Sequence, residues 1–139
     1  MDAGSSEYPV AGAPAAEAVA LLGGDLTGTL IQRLGIEVTE AGPDRVVARM
    51  PVEGNTQPFG LLHGGATAAL CETVASLGAS LAAAPAGQAV GIELNVNHMR
   101  AVTHGTVVAT GTALHSGRST AVWTCECSTT PIASSPPAG

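Results

Sequence analysis

The sequence predicts an α+β domain: one long apolar helix laid against an antiparallel sheet. Two observations carry this. Between Ala66 and Ala84 there is no proline, Ala and Leu dominate, and the only charge is Glu72. Good helix formers without a polar face make a helix that runs through the interior rather than over the surface. Around it lie stretches that alternate apolar and polar residues, two before and at least three after. Strand, strand, helix and then successive strands form a meander with no parallel crossover to explain.

In chain order, Met1 to about Ala16 is rich in Gly, Pro, Ala and Ser and reads as a flexible tail, leaving 17–135 as the domain and 136–139 as a short second tail. Glu17–Leu22 suits a short helical turn, and Thr27–Leu34 a short helix or turn packed on the sheet. Gly35–Glu40 and Arg45–Val52 alternate, and the Ala-Gly-Pro-Asp between them is strong turn chemistry, so the pair reads as a hairpin. The long helix begins near Gly64 and is stopped by Pro85-Ala86-Gly87. From Ala89 to His98 the alternation is clean. Val90, Ile92, Leu94 and Val96 point one way, and are expected to cover the helix, while Gly91, Glu93, Asn95 and Asn97 point the other. Gly105–His115 and Ser119–Cys127 are two further strands, joined by Ser116-Gly117-Arg118. Pro131–Ser135 starts a last strand that Pro136-Pro137 ends, because proline cannot donate to a ladder.

Composition narrows the function classes. A length of 139 residues fits one domain able to bury a core. The formal net charge of −6 and the lack of a basic patch argue against nucleic acid. Glu72 interrupts the apolar run, which argues against a membrane span. No basic segment followed by an apolar stretch opens the sequence, so a cytoplasmic protein is expected. Cys71, Cys125 and Cys127 form an odd set without a disulfide framework. Cys125 and Cys127, taken as facing opposite sides of a strand, are expected to make a poor pair, so reduced thiols and no metal site are anticipated. His98, His104 and His115 lack ligand spacing.

The chemistry concentrates in QPFGLLHGGATAALCETVAS, from Gln57 to Ser76. A single carboxylate on a buried helix is either paired and capped, or a base or nucleophile on the floor of a cleft. Ser76 lies four residues after Glu72 and can share its face, and Thr73 is adjacent. The His63-Gly64-Gly65 turn offers free N–H groups at the positive end of the helix dipole. These donors lie roughly 10–12 Å from Glu72 along the axis. Both can serve one carbonyl only if two chains contribute or the loop folds back.

These residues resemble the hot-dog-fold acyl-CoA thioesterases, in the branch related to phenylacetate-pathway, dihydroxynaphthoyl-CoA and 4-hydroxybenzoyl-CoA thioesterases. The resemblance spans roughly Leu26 to Trp123 and rests on HGG, with Gln57 six residues before His63 and Glu72 nine after it, followed by GIELNVNHMR. It implies a long helix wrapped by an antiparallel sheet and two chains pairing to build two active sites. It also implies a homo-oligomer, a dimer at least and a tetramer by expectation. By resemblance, Gly64 gives its N–H to the thioester oxygen, Gln57 and His63 position the acyl group, Glu72 is nucleophile or general base, and Ser76 orients it or the attacking water. Phe59, Gly65, Thr73 and Leu77, with Leu61, are expected around the acyl group. His98, Arg100, Arg118 and Ser119 are expected near coenzyme A, where the arginine fork suits phosphates. Coenzyme A is then part of the substrate, and no resident cofactor is implied.

The expected activity is hydrolysis of an acyl-CoA, with an aryl acyl group suggested by the resemblance alone. The alternatives within the fold are an acyl-thioester dehydratase or hydratase, or a non-catalytic acyl-thioester binder. An α/β-hydrolase esterase is excluded, because no G-x-S-x-G elbow is present.

Overall fold

The computed structural model describes residues 18–20 and 23–130. The expected tails, half of the Glu17–Leu22 turn and the Pro131–Ser135 strand lie outside the described residues; 18–20 are helical. The first complete element is a short helix, α1 (Leu30–Leu34). The Thr29 hydroxyl caps it by accepting the Gln32 N–H at 3.3 Å, and Gly35 ends it in the left-handed region at φ 71°. A Cβ on Gly35 would also press on the Pro51 ring at 3.2 Å.

Four strands follow the expected order: β1 (Glu37–Ala41), β2 (Arg45–Pro51), β3 (Thr106–Ser116) and β4 (Ala121–Thr130), antiparallel and adjacent as β1-β2-β3-β4. The registers include Ala48 opposite Ala109 and Ala109 opposite Cys127. Alternation places Val46, Ala48 and Met50 of β2, and Val107, Ala109 and Gly111 of β3, on the inner face. The helix α2 (Gly64–Ala83) lies across that face, burying Ala66, Thr67, Leu70, Cys71, Val74, Gly78 and Leu81. Ile36, Val46, Met50, Val52, Leu70, Val74 and Val107 form the main core. By length and composition α2 could cross a membrane; its packing on the sheet makes it a core helix. Glycine sets how closely the layers approach. A Cβ on Gly78 would collide with the Trp123 ring, and one on Gly111 with the Val74 side chain.

The helix is not buried all round, contrary to the expectation from its composition. Its far side is only half-covered, by the segment between Ala86 and Ala101. That segment contains the strand expected at Ala89–His98, and it joins no sheet among the described residues. Its apolar set does not cover the helix either. Val90 and Ile92 are 84% and 88% exposed, and it is Gly91 that meets the helix, against the Glu72 carboxylate. The physical reason is a missing neighbour. The last described strand is β4, whose outer edge has no partner among the described residues, and a groove of about 2210 Å³ separates β4 from the segment. An extended chain without a ladder partner keeps its alternation but gains no strand hydrogen bonds.

Candidate active site in the groove beside the central helix

The loop between β2 and α2 is built on Asn55. Buried after a glycine turn, its side-chain amide donates to the Leu34 and Pro51 carbonyls at 2.7 and 2.8 Å, and its own carbonyl accepts the His63 N–H at 2.9 Å. Sequence reasoning passed over Asn55; its signal is a polar residue directly after Gly54, which has φ 85°. The Gln57 N–H donates to the Leu61 carbonyl at 2.7 Å, and its side-chain oxygen accepts the Phe59 N–H. The side-chain NH₂ of Gln57 is left as a donor toward the groove.

His63 caps α2. Its Nδ1 accepts the Gly65 N–H at 2.8 Å, and its carbonyl accepts from Ala66 and Thr67. Nδ1 is therefore the unprotonated nitrogen. The Gly64 N–H meets no acceptor among the described residues and stands at the positive end of a 20-residue helix. The His98 ring lies over it, its Nε2 2.7 Å from where a Cβ on residue 64 would sit. Glycine at 64 therefore leaves room for an imidazole beside the free N–H, a juxtaposition that depends on the path of a distant segment and was invisible in the sequence.

Gln57, Gly64, Glu72, Ser76, His98, Arg100, Arg118 and Ser119 all line the groove. Five other expected positions do not. His63 is the cap, and Gly65 binds it. Phe59 is 90% exposed, Thr73 donates to the Ala69 carbonyl at 2.7 Å within its own helix, and Leu77 packs into the core. The helix starts at Gly64 without a fold-back, so Gly64 and Glu72 are about 12 Å apart along its axis at 1.5 Å per residue. Of the two arrangements left open by the sequence, the one needing a folded loop is not observed.

The arginines separate by partner. Arg49 donates from Nε and Nη2 to the Glu37 carboxylate at 3.1 and 2.9 Å, Arg45 pairs with Glu40, and Arg33 sits in the last turn of α1. Arg100 and Arg118 have no acidic partner among the described residues. They do not meet each other. Arg100 lies near the start of α2, where the Val102 carbonyl accepts the Leu62 N–H at 2.7 Å. Arg118 precedes β4, which runs antiparallel to α2 with Trp123 at Gly78 and Cys127 at Cys71, so it lies toward the far end.

One expectation is corrected outright. Cys125 and Cys127 do not face opposite sides: residues two apart in a strand share a face, and here both point at α2. The Sγ atoms of Cys71, Cys125 and Cys127 lie within 4.8 Å of one another, with Cys71 and Cys127 at 3.5 Å. Hydrogen bonds from the Cys125 and then the Cys71 thiols hold Cys127 below the ordinary thiol range, and the same bond to Cys127 raises Cys125. Trp123 adds a buried Nε1 with no partner at the groove wall.

Comparison with known proteins agrees with the fold. The family model "Thioesterase superfamily" matches residues 59–132. A proofreading thioesterase, EntH of Cronobacter turicensis, is 47% identical over 97 residues, covering 69% of this chain and 71% of that protein. The matched stretches span 66% and 80% of the first curated relatives. The crystal structure of thioesterase HI1161 from Haemophilus influenzae superposes with a TM-score of 0.71 at 40% identity, over 75% of this chain and 73% of that one. Thioesterase SAV0944 of Staphylococcus aureus, in a form carrying a Gln→Ala change, gives a TM-score of 0.68 at 36% identity over 70% of this chain and 83% of that one. A second form carries a Glu→Ala change. The chain belongs to the thioesterase superfamily and has its hot-dog fold, a long central helix against an antiparallel sheet.

Proposed function

We propose that the protein hydrolyses an acyl-CoA thioester to the free acid and coenzyme A, in a site completed by a second copy of the chain. The observation that carries this is Glu72: a lone carboxylate on the core helix, half-buried on the groove floor, with Ser76 one turn on. The groove also holds an uncommitted helix N-terminal N–H at Gly64 and the Gln57 amide. In SAV0944 the substituted glutamine and glutamate are separated by the same number of positions as Gln57 and Glu72, which supports giving these two residues linked roles.

Gly64 would bind the thioester oxygen where negative charge develops, with the helix dipole behind it. Glu72 would act either by attacking the carbonyl carbon to give a mixed anhydride, which water then opens, or by taking a proton from the attacking water. In both routes the C–S bond breaks, coenzyme A leaves as a thiolate, and no strong general acid is needed. The 12 Å between Gly64 and Glu72 favours Gly64 of one copy facing Glu72 of the other. Such pairing would also cover Val90, Ile92 and Met99, a concentration of exposed apolar side chains that marks an interaction surface. Arg100 and Arg118, at opposite ends of α2, would reach one coenzyme A from different copies. Leu61, which lines the groove, would meet the acyl group there, whereas Phe59 would reach it only in the assembly, and an aryl acyl group is the preferred class. We assign no cofactor to the hydrolysis, and a cytoplasmic location.

Release of coenzyme A thiol across a panel of aryl- and alkyl-CoA esters tests the reading. Glu72→Gln keeps the shape and removes the charge, and should lower turnover at least about 100-fold, with Gln57→Ala costing less. A loss under about tenfold removes Glu72 from the chemistry. Binding of the esters without hydrolysis by the wild type would favour the acyl-thioester binder or the dehydratase.

A further inference from the structure

Three thiols converge between α2 and β4 for no reason that the thioesterase chemistry supplies. We propose that Cys71, Cys125 and Cys127 form a site for one thiophilic metal ion of the Zn²⁺ class, bound by three thiolates with its fourth position open to the groove. The geometry carries the inference. Three thiolates about 2.3 Å from a common Zn²⁺ lie roughly 3.8–4.0 Å from one another. Here the closest sulfurs are 3.5 Å apart and all three fall within 4.8 Å, so small side-chain adjustments close the site without moving the backbone.

The ligands come from two rigid elements. Cys71 is on α2, and Cys125 and Cys127 sit two apart on one face of β4, a spacing that aims both sulfurs at the same point. Cys71 is buried, Cys125 half-buried and Cys127 exposed, and all three line the groove, so an ion can enter from solvent and keep a water ligand. The donor set is all sulfur, which selects soft ions over Mg²⁺ or Ca²⁺. All three thiols are free, and a disulfide would leave the third sulfur unpaired, whereas a metal uses all of them. The ion would pin the last described strand to the core helix. Binding would release the thiol protons.

The test uses the full chain, reduced and stripped with a chelator, then titrated with Zn²⁺ against a chromophoric competitor and separately with Cd²⁺ to read sulfur-to-metal charge-transfer absorption. One ion per chain should bind with a Kd of about 1 μM or tighter. At a hundredfold excess over Kd the melting temperature should rise by roughly 5–10 °C. Cys127→Ser is exposed and leaves the core intact, and should weaken binding about 100-fold and abolish the charge-transfer band. Cys125→Ala should do the same, with circular dichroism confirming the fold. Binding weaker than about 100 μM, binding unchanged by Cys127→Ser, or a Cys71–Cys127 disulfide in protein isolated without reductant would each overturn the site. None of these readouts depends on thioesterase activity.

Discussion

β2 and the segment from Ala89 to His98 have the same pattern in the sequence and different fates in the structure. Both alternate apolar and polar residues. In β2 the alternation becomes burial, with Val46, Ala48 and Met50 at 0% exposure between neighbouring strands and under α2. In the segment, Val90 and Ile92 stay almost wholly exposed and no ladder forms among the described residues. What differs is the neighbour, not the residues. β2 has a partner four residues away through the hairpin, whereas the segment lies beyond a groove at the edge of a sheet whose last described strand is β4. An alternating stretch specifies two faces; only a partner edge turns it into a strand.

Two substitutions sharpen this contrast, the larger effect first. Leu70→Ala removes a fully buried side chain from the core between α2 and the sheet, and should cost about 2–5 kcal/mol in denaturant unfolding. A cost below about 1 kcal/mol would mean that the core region is as loosely held as the segment. Ile92→Ser should change the stability of the single chain by no more than about 0.5 kcal/mol, since the residue is 88% exposed. It should, however, weaken association between copies, read as a higher dissociation constant in sedimentation. Strong destabilisation of the monomer together with unchanged association would mean that the segment belongs to the core of one chain.

The same contrast explains what the sequence made legible. The hairpin, α2 and the last two strands could be read because propensity, turn residues and alternation are local: Gly42-Pro43-Asp44 turns β1 into β2, and Pro85 follows the end of α2. Glu72, Gly64 and Gln57 could be read because their spacing lies within one loop and one helix. His98 over Gly64, Gly91 against Glu72, and the separation of Arg100 from Arg118 could not, because each depends on where a segment without a ladder is laid down. The thiol cluster is a different case. The two-residue spacing of Cys125 and Cys127 fixes a shared face from sequence alone, and assigning them opposite faces hid it. That Cys71 meets them requires the pairing of α2 with β4 and is tertiary.

The central claim is that one site draws Gly64 from one copy and Glu72 from another, and mixing two inactive variants tests it most directly. Proline is well accommodated at the first helical position, so Gly64→Pro removes the N–H and leaves α2 intact, while Gly64→Ala controls for the added bulk beside His98. Gly64→Pro and Glu72→Gln should each be nearly inactive in thiol release. After unfolding and co-refolding at equal amounts, half of the dimers are mixed and each mixed dimer contains one intact site, so activity should recover to about a quarter of wild type. No recovery, with mixed dimers demonstrated by differential tagging, would place both groups in the same chain and contradict the account.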